Sequence, residues 1–225
     1  MDVYVGTSGW YYVWNEEKNL DWYIRHSSLN AVELNASFYR FPFKNQIAGW
    51  AKWGATLRWC VKVHRFITHQ HKFNEAAREI WEKFRSLFTP LDPYTGYYLF
   101  QSPPLMNDAE RLAGFFSGIP SQEKCALEIR NKGLIMDDTV CKKLQELVLL
   151  VSVDSPDVKN RIFSGDVMYL RMHGREDWYQ HTYSREELAQ TADMIKDIGP
   201  ERVYVFFNND HAMLKNARLM RDLLA

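Results

Sequence analysis

Val167-Met-Tyr-Leu-Arg-Met-His173, the run Arg185–Ile198, and Arg202-Val-Tyr-Val-Phe-Phe-Asn208 read in order as strand, helix and strand. Both outer stretches are short, largely apolar, and polar at their last residue. Between them, Ser184 followed three residues later by Glu187 is a capping-box pattern that opens a helix, and Gly199-Pro200 stops it. Two strands joined through a helix make a parallel βαβ unit.

The same grammar extends through the chain. Further apolar runs stand at Val3–Thr7, Ala31–Ala36, Arg58–Val63, Tyr97–Gln101, Cys125–Arg130 and Val148–Asp154. Phe73–Phe88 carries Ala76, Ile80, Phe84 and Leu87 at spacings of three and four, an amphipathic stripe. Asp137–Leu147 and Asp210–Leu224 read as helices too, with weaker stretches at Asp21–Ser28, Lys44–Lys52 and Asp108–Ser117. Ser155–Gly165 is too short and polar for a full helix. The fold class is therefore α/β, a (β/α)8 TIM barrel with a reduced helix between strands six and seven. No Gly/Ser linker or composition shift interrupts residues 1–225, so one domain is expected.

Lys plus Arg and Asp plus Glu balance at 28 each, which gives no net field toward nucleic acid or anionic membrane. No stretch of 18 apolar residues and no signal-like leader is visible, so a cytoplasmic protein without membrane contact is expected. Cys60, Cys125 and Cys141 lack metal-like spacing and read as reduced, structural thiols. Gly6-Thr-Ser-Gly9 is too short for a phosphate loop. Neither a cofactor nor a resident metal is expected, and nothing in the pattern fixes an oligomeric state.

Strand alternation separates two faces. Glu33 and Asn35 oppose Val32 and Leu34; Lys62 and His64 oppose Val61 and Val63. Glu128 and Arg130 oppose Leu127 and Ile129, while Arg171 and His173 oppose Leu170 and Met172. The same count adds Gln101, Asp154 and Asn208. These mixed faces grow more polar toward the strand ends, where barrel enzymes keep their chemistry, and imply a polar pocket at one mouth. Arg130, Arg171 and Lys62 suit a phosphate or carboxylate, and they would repel a metal ion for which the acids and His173 could supply ligands in number. His64 or His173 suits proton transfer, with Glu33 or Glu128 as partner, and Lys62 is alternatively an amine nucleophile. His69-Gln-His71 reads as loop structure. The aromatic loop Trp10-Tyr11-Tyr12-Val13-Trp14 either stacks on a sugar or base or covers the barrel top.

The chain also resembles the YecE-like family, domain of unknown function 72. The resemblance rests on Val5-Gly-Thr-Ser-Gly-Trp10, Val32-Glu-Leu-Asn-Ala-Ser-Phe-Tyr-Arg-Phe-Pro42 and Val61-Lys-Val-His-Arg-Phe-Ile-Thr-His69. It continues through Phe100-Gln-Ser-Pro-Pro104, Ala126-Leu-Glu-Ile-Arg130, Tyr169-Leu-Arg-Met-His-Gly174 and Phe207-Asn-Asn-Asp210, with Lys215-Asn-Ala217 in the final helix. It implies a TIM barrel and no particular reaction. Its motif positions fall on Glu33, Asn35, Tyr39, Lys62, Thr68, His69, Gln101, Glu128, Arg130, Arg171, His173 and Asn208. Ser102 departs from the family's usual apolar residue, and the first loop and Ser155–Gly165 look short, which implies a more open rim.

These readings converge on an acid–base enzyme for a small anionic or sugar-like substrate. Glu33, Lys62, Glu128 and His173 would be catalytic. Asn35, Tyr39, His64, Thr68, His69, Gln101, Arg130, Asp154, Arg171 and Asn208 would bind substrate. Two alternatives stay open: a metal-dependent hydrolase, isomerase or nuclease-like barrel, and a non-catalytic binding protein whose charges form a structural network.

Overall fold

A computed structural model describes residues 1–225. Eight parallel strands follow one another around a closed barrel in sequence order. They are β1 (Asp2–Thr7), β2 (Ala31–Leu34), β3 (Arg58–Lys62), β4 (Thr95–Gln101), β5 (Cys125–Glu128), β6 (Leu149–Asp154), β7 (Val167–Met172) and β8 (Arg202–Phe207). The helices are α1 (Leu20–His26), α2 (Ala36–Tyr39), α3 (Lys44–Ala51), α4 (Glu75–Leu87), α5 (Ala109–Ser117), α6 (Lys132–Met136), α7 (Asp138–Gln145), α8 (Arg185–Ile198) and α9 (Met213–Leu224). The (β/α)8 barrel expected from the sequence is the fold. No helix is long and apolar enough to cross a membrane.

Two compact units partition the residues. The first comprises Met1–Glu33, Thr56–Arg58 and Val151–Ala225; the second comprises Leu34–Ala55 and Trp59–Leu150. In the first, β1 lies between β2 and β8, with Gly6 beside Ala31 and Phe206. A Cβ on Gly6 would fall 2.3 Å from the Ala31 carbonyl oxygen, so only glycine permits this strand spacing. The Ser184 hydroxyl accepts from the Glu187 N–H, and the Glu187 carboxylate accepts in return from the Ser184 N–H. Gly199 ends α8 in the left-handed region (φ 64°), so both ends of this helix stand where the sequence puts them. In the second unit, Asn74, Asp108 and Asp137 cap α4, α5 and α7. Its core is aromatic: Trp81 of α4 packs with Phe84 and with Tyr98 and Phe100 of β4, and Phe100 packs in turn with Phe115 and Phe116 of α5. Cys60, Cys125 and Cys141 are free thiols, all buried.

Several boundaries are shorter than the sequence implies. The second strand stops at Leu34, because the chain turns at once into α2. The Ser37 hydroxyl fixes that turn by donating to the Lys62 carbonyl at the end of β3 (2.6 Å). Strands three, five, seven and eight likewise stop at Lys62, Glu128, Met172 and Phe207. Between β6 and β7 no helix forms. A turn at Lys159–Asn160 leads instead to an isolated antiparallel bridge between Val153 and Arg161.

Candidate functional site

In the second unit, register places Lys62 beside Leu99 and Gln101 beside Glu128, so these three polar side chains leave the sheet on one face. The Glu128 carboxylate is buried and accepts from the Gln101 amide at 2.9 Å and from the Arg130 guanidinium at 3.3 Å. Arg130 is also held through its backbone, whose N–H donates to the Ser102 hydroxyl. Its side chain keeps 15 % exposure, a guanidinium braced from behind by a buried carboxylate.

After β3 the chain enters a π-turn, Phe66–Gln70, closed by the His71 N–H on the Phe66 carbonyl. Such turns recur at functional sites. It is followed by two consecutive left-handed residues, Lys72 (φ 47°) and Phe73 (φ 60°), a costly conformation for side chains of this size. Phe73 is buried against Phe100 and Phe115, which compensates the strain. The turn presents Thr68 and His69, with the Thr68 hydroxyl 2.8 Å from His69 Nδ1. His69 meets the Phe38 ring edge-on, and the Lys62 ammonium lies over that ring at 4.3 Å. Burial, and then the positive charges of Lys62, Arg130 and Arg65, lower the proton affinity of His69.

His64 sits apart from this group, between the rings of Phe41 and Phe66, and its Nδ1 accepts from the Phe66 N–H. Burial lowers its proton affinity, the Tyr39 backbone opposes that shift and Arg65 adds to it. Its observed task is to cap the π-turn. Asn35 precedes α2, and Tyr39 at the end of α2 is exposed.

In the first unit, Glu33 forms a two-pronged ion pair with Arg171, at 3.0 Å to Nε and 2.6 Å to Nη2, and accepts a third bond from the Tyr169 hydroxyl at 2.6 Å. Both charged side chains are wholly buried. Arg171 Nη1 lies 3.4 Å from His173 Nε2, which can serve only as an acceptor there, so the ring proton belongs on Nδ1. Nδ1 in turn lies 3.2 Å from the Asn208 amide, which also bonds the Ser8 hydroxyl at 2.7 Å. Amide orientation follows the hydrogen-bond network. Here the Asn208 oxygen turned toward His173 satisfies both partners. Tyr12 of the aromatic loop donates to the Ser8 carbonyl, and burial raises its phenol above the ordinary range. Trp14 packs toward Trp22 and Tyr23, whereas Tyr11 is 73 % exposed. The loop thus covers α1 and leaves one ring outward.

Asp154 requires a correction. Strand counting groups it with the inward polar residues, but register pairs Val153 with Arg171 and Asp154 with Met172. Asp154 therefore lies on the opposite face from Arg171. The reason is the missing helix: β6 is covered by an irregular segment whose backbone needs acceptors. Ser152 accepts from the Phe163 N–H and Asp154 from the Asn160 N–H. Asp154 also pairs with Arg175 at 2.7 Å, and Arg175 continues to Glu187, which meets His181. Arg175 has no place in the sequence reading because Gly174, at φ 112°, turns the chain away from the strand.

No group of three or more His, Cys, Asp or Glu side chains is placed to hold a metal ion. A family model described as "Protein of unknown function DUF72" matches residues 4–225. The chain belongs to the DUF72 family. Among solved structures, this DUF72 protein is similar to a family member from Thermotoga maritima MSB8, at 24% identity over 100% of this chain and 99% of that one, with a TM-score of 0.84. It is also similar to one from Enterococcus faecalis V583, at 20% identity over 99% and 95% of the two chains, with a TM-score of 0.80. At these identities the likeness bears on the fold alone, and both share the DUF72 fold. No curated protein matches the sequence.

The DUF72 chain thus gathers Lys62, Thr68, His69, Gln101, Glu128 and Arg130 in one unit, and Glu33, Arg171, His173 and Asn208 in the other. Tyr169, Ser8 and Arg65 complete these groups and were missed from sequence. Tyr169 shares the parity of Arg171, which was the available signal.

Proposed function

We propose that this protein binds a small anionic or sugar-like substrate at the carboxyl ends of β3, β4 and β5 and works on it by acid–base chemistry. One observation carries the reading: half-buried His69 and the Lys62 ammonium meet the same Phe38 ring, and Arg130 and Arg65 add their positive fields at that imidazole. Such a field favours a negative charge. Arg130, braced by Glu128, offers two parallel donors to a carboxylate or phosphate, and Lys62 offers a compact charge. Neutralising those cations with a bound anion stabilises the imidazolium of His69, so the proton affinity of this ring rises toward the range where it exchanges protons with substrate. His69 suits that role better than His173, which is buried and has both ring nitrogens engaged.

A histidine NMR titration in the presence of inorganic phosphate tests this. The His69 midpoint is expected to move to higher pH as phosphate is added, and Arg130→Gln is expected to weaken the effect at least about tenfold. A His69 titration that ignores phosphate overturns the reading. The saturated Glu33–Arg171 pair favours a second reading, a binding protein that retains the anion unchanged. It predicts phosphate affinity with no product from any sugar phosphate offered.

A further inference from the structure

The amino ends of β4 and β5 carry a separate cleft of about 440 Å³, within the usual range for a small-molecule site. Its walls include Trp81, Glu82 and Arg85 of α4, with Asp92 and Pro93 before β4 and Pro120 before β5. Lys62, Gln101 and Glu128 stand at the other ends of their strands, so this cleft is distinct from the site proposed above.

Trp81 is fully buried, yet its indole Nε1 has no hydrogen-bond partner. Arg85, one turn further along the same helix face, has a buried Nε that is likewise without a partner. Buried donors are nearly always satisfied, and two exceptions four residues apart on one cleft wall mark a place prepared for an acceptor. The neighbouring groups do not supply it. The Asp92 carboxylate is taken up by the Lys124 ammonium and the Tyr98 hydroxyl, both at 2.8 Å, and Ser86 and Thr89 donate to backbone carbonyls. Around the cleft Glu82 and Asp92 balance Arg85 and Lys124, so the surroundings admit a single negative charge more readily than a double one. Trp81, Pro93 and Pro120 give the walls an apolar component.

We propose that this cleft is a binding site for a small organic monocarboxylate, whose apolar body lies against Pro93 and Pro120 and whose oxygens reach Trp81 Nε1 and Arg85 by parting the wall that now covers both donors. Chemistry in this fold belongs to the opposite strand ends, so a ligand here is held away from that site. The inference stands independently of the acid–base reading.

Benzoate is the probe, followed through the indole N–H resonances of 15N-labelled full-length protein, with Trp81→Phe used to assign the Trp81 signal. That signal is expected to shift saturably with benzoate. Arg85→Met is expected to weaken binding at least about tenfold. Glu82→Gln, on the exposed rim, is expected to tighten it about twofold by removing an opposing charge. A Trp81 signal that benzoate leaves unmoved overturns the proposal, and so does benzoate affinity equal to wild type in both variants. Preference for inorganic phosphate over benzoate overturns the ligand class.

Discussion

Glu33 and Glu128 are both buried carboxylates near strand ends, and each is paired with an arginine, yet the two pairs have different uses. Glu33 accepts three hydrogen bonds, two from Arg171 and one from Tyr169, and Arg171 has no exposed surface. Glu128 accepts from Gln101 and holds Arg130 by one longer contact, and Arg130 reaches solvent. The same two residue types thus give a closed structural pair in one place and a presented guanidinium in the other. What differs is that Arg171 is sealed from solvent while Arg130 is not.

The sharpest way to break the comparison is to remove each arginine. Arg171→Leu leaves Glu33 charged and buried and is expected to cost about 3–5 kcal/mol in urea unfolding. Arg130→Gln is expected to cost less, about 1–3 kcal/mol, because its guanidinium is partly hydrated and Gln101 still bonds Glu128. Equal costs would dissolve the distinction. Tyr169→Phe removes one neutral donor to a charged acceptor, and a loss of about 1.5–3 kcal/mol is expected by the same measurement. The smallest effect concerns pH. His64 and His69 both bind protons less readily in the folded chain than in the unfolded one. The unfolded chain therefore takes up more protons as pH falls through the ordinary histidine range. Their contribution is complete above about pH 6.5 and is lost as pH drops toward the lowered folded values. The urea midpoint is expected to fall from pH 7 to pH 5.5, and His64→Gln with His69→Gln to flatten that slope.

The barrel was legible because each strand is a short apolar run bounded by helical periodicity, and parity then placed Glu33, Lys62, Glu128 and Arg171 on the correct faces. Parity failed at β6. Alternation separates two faces without naming which is inward, and there Val151 and Val153 pair with Tyr169 and Arg171 while the polar residues serve an irregular covering segment. The π-turn carrying Thr68 and His69 was invisible for a different reason. It runs into two left-handed residues whose strain is offset by aromatic packing against distant elements, and no local sequence pattern encodes that. Arg175 escaped because a single left-handed glycine ends the alternation one residue earlier.

The tether from Asp154 to Arg175 links the outside of the barrel to its roof. Arg175 begins the segment that lays Trp178 and Tyr179 against the imidazole of His173. A buried carboxylate that never faces His173 thus anchors the first residue of the aromatic canopy, and Asp154→Asn is expected to change the fluorescence of Trp178.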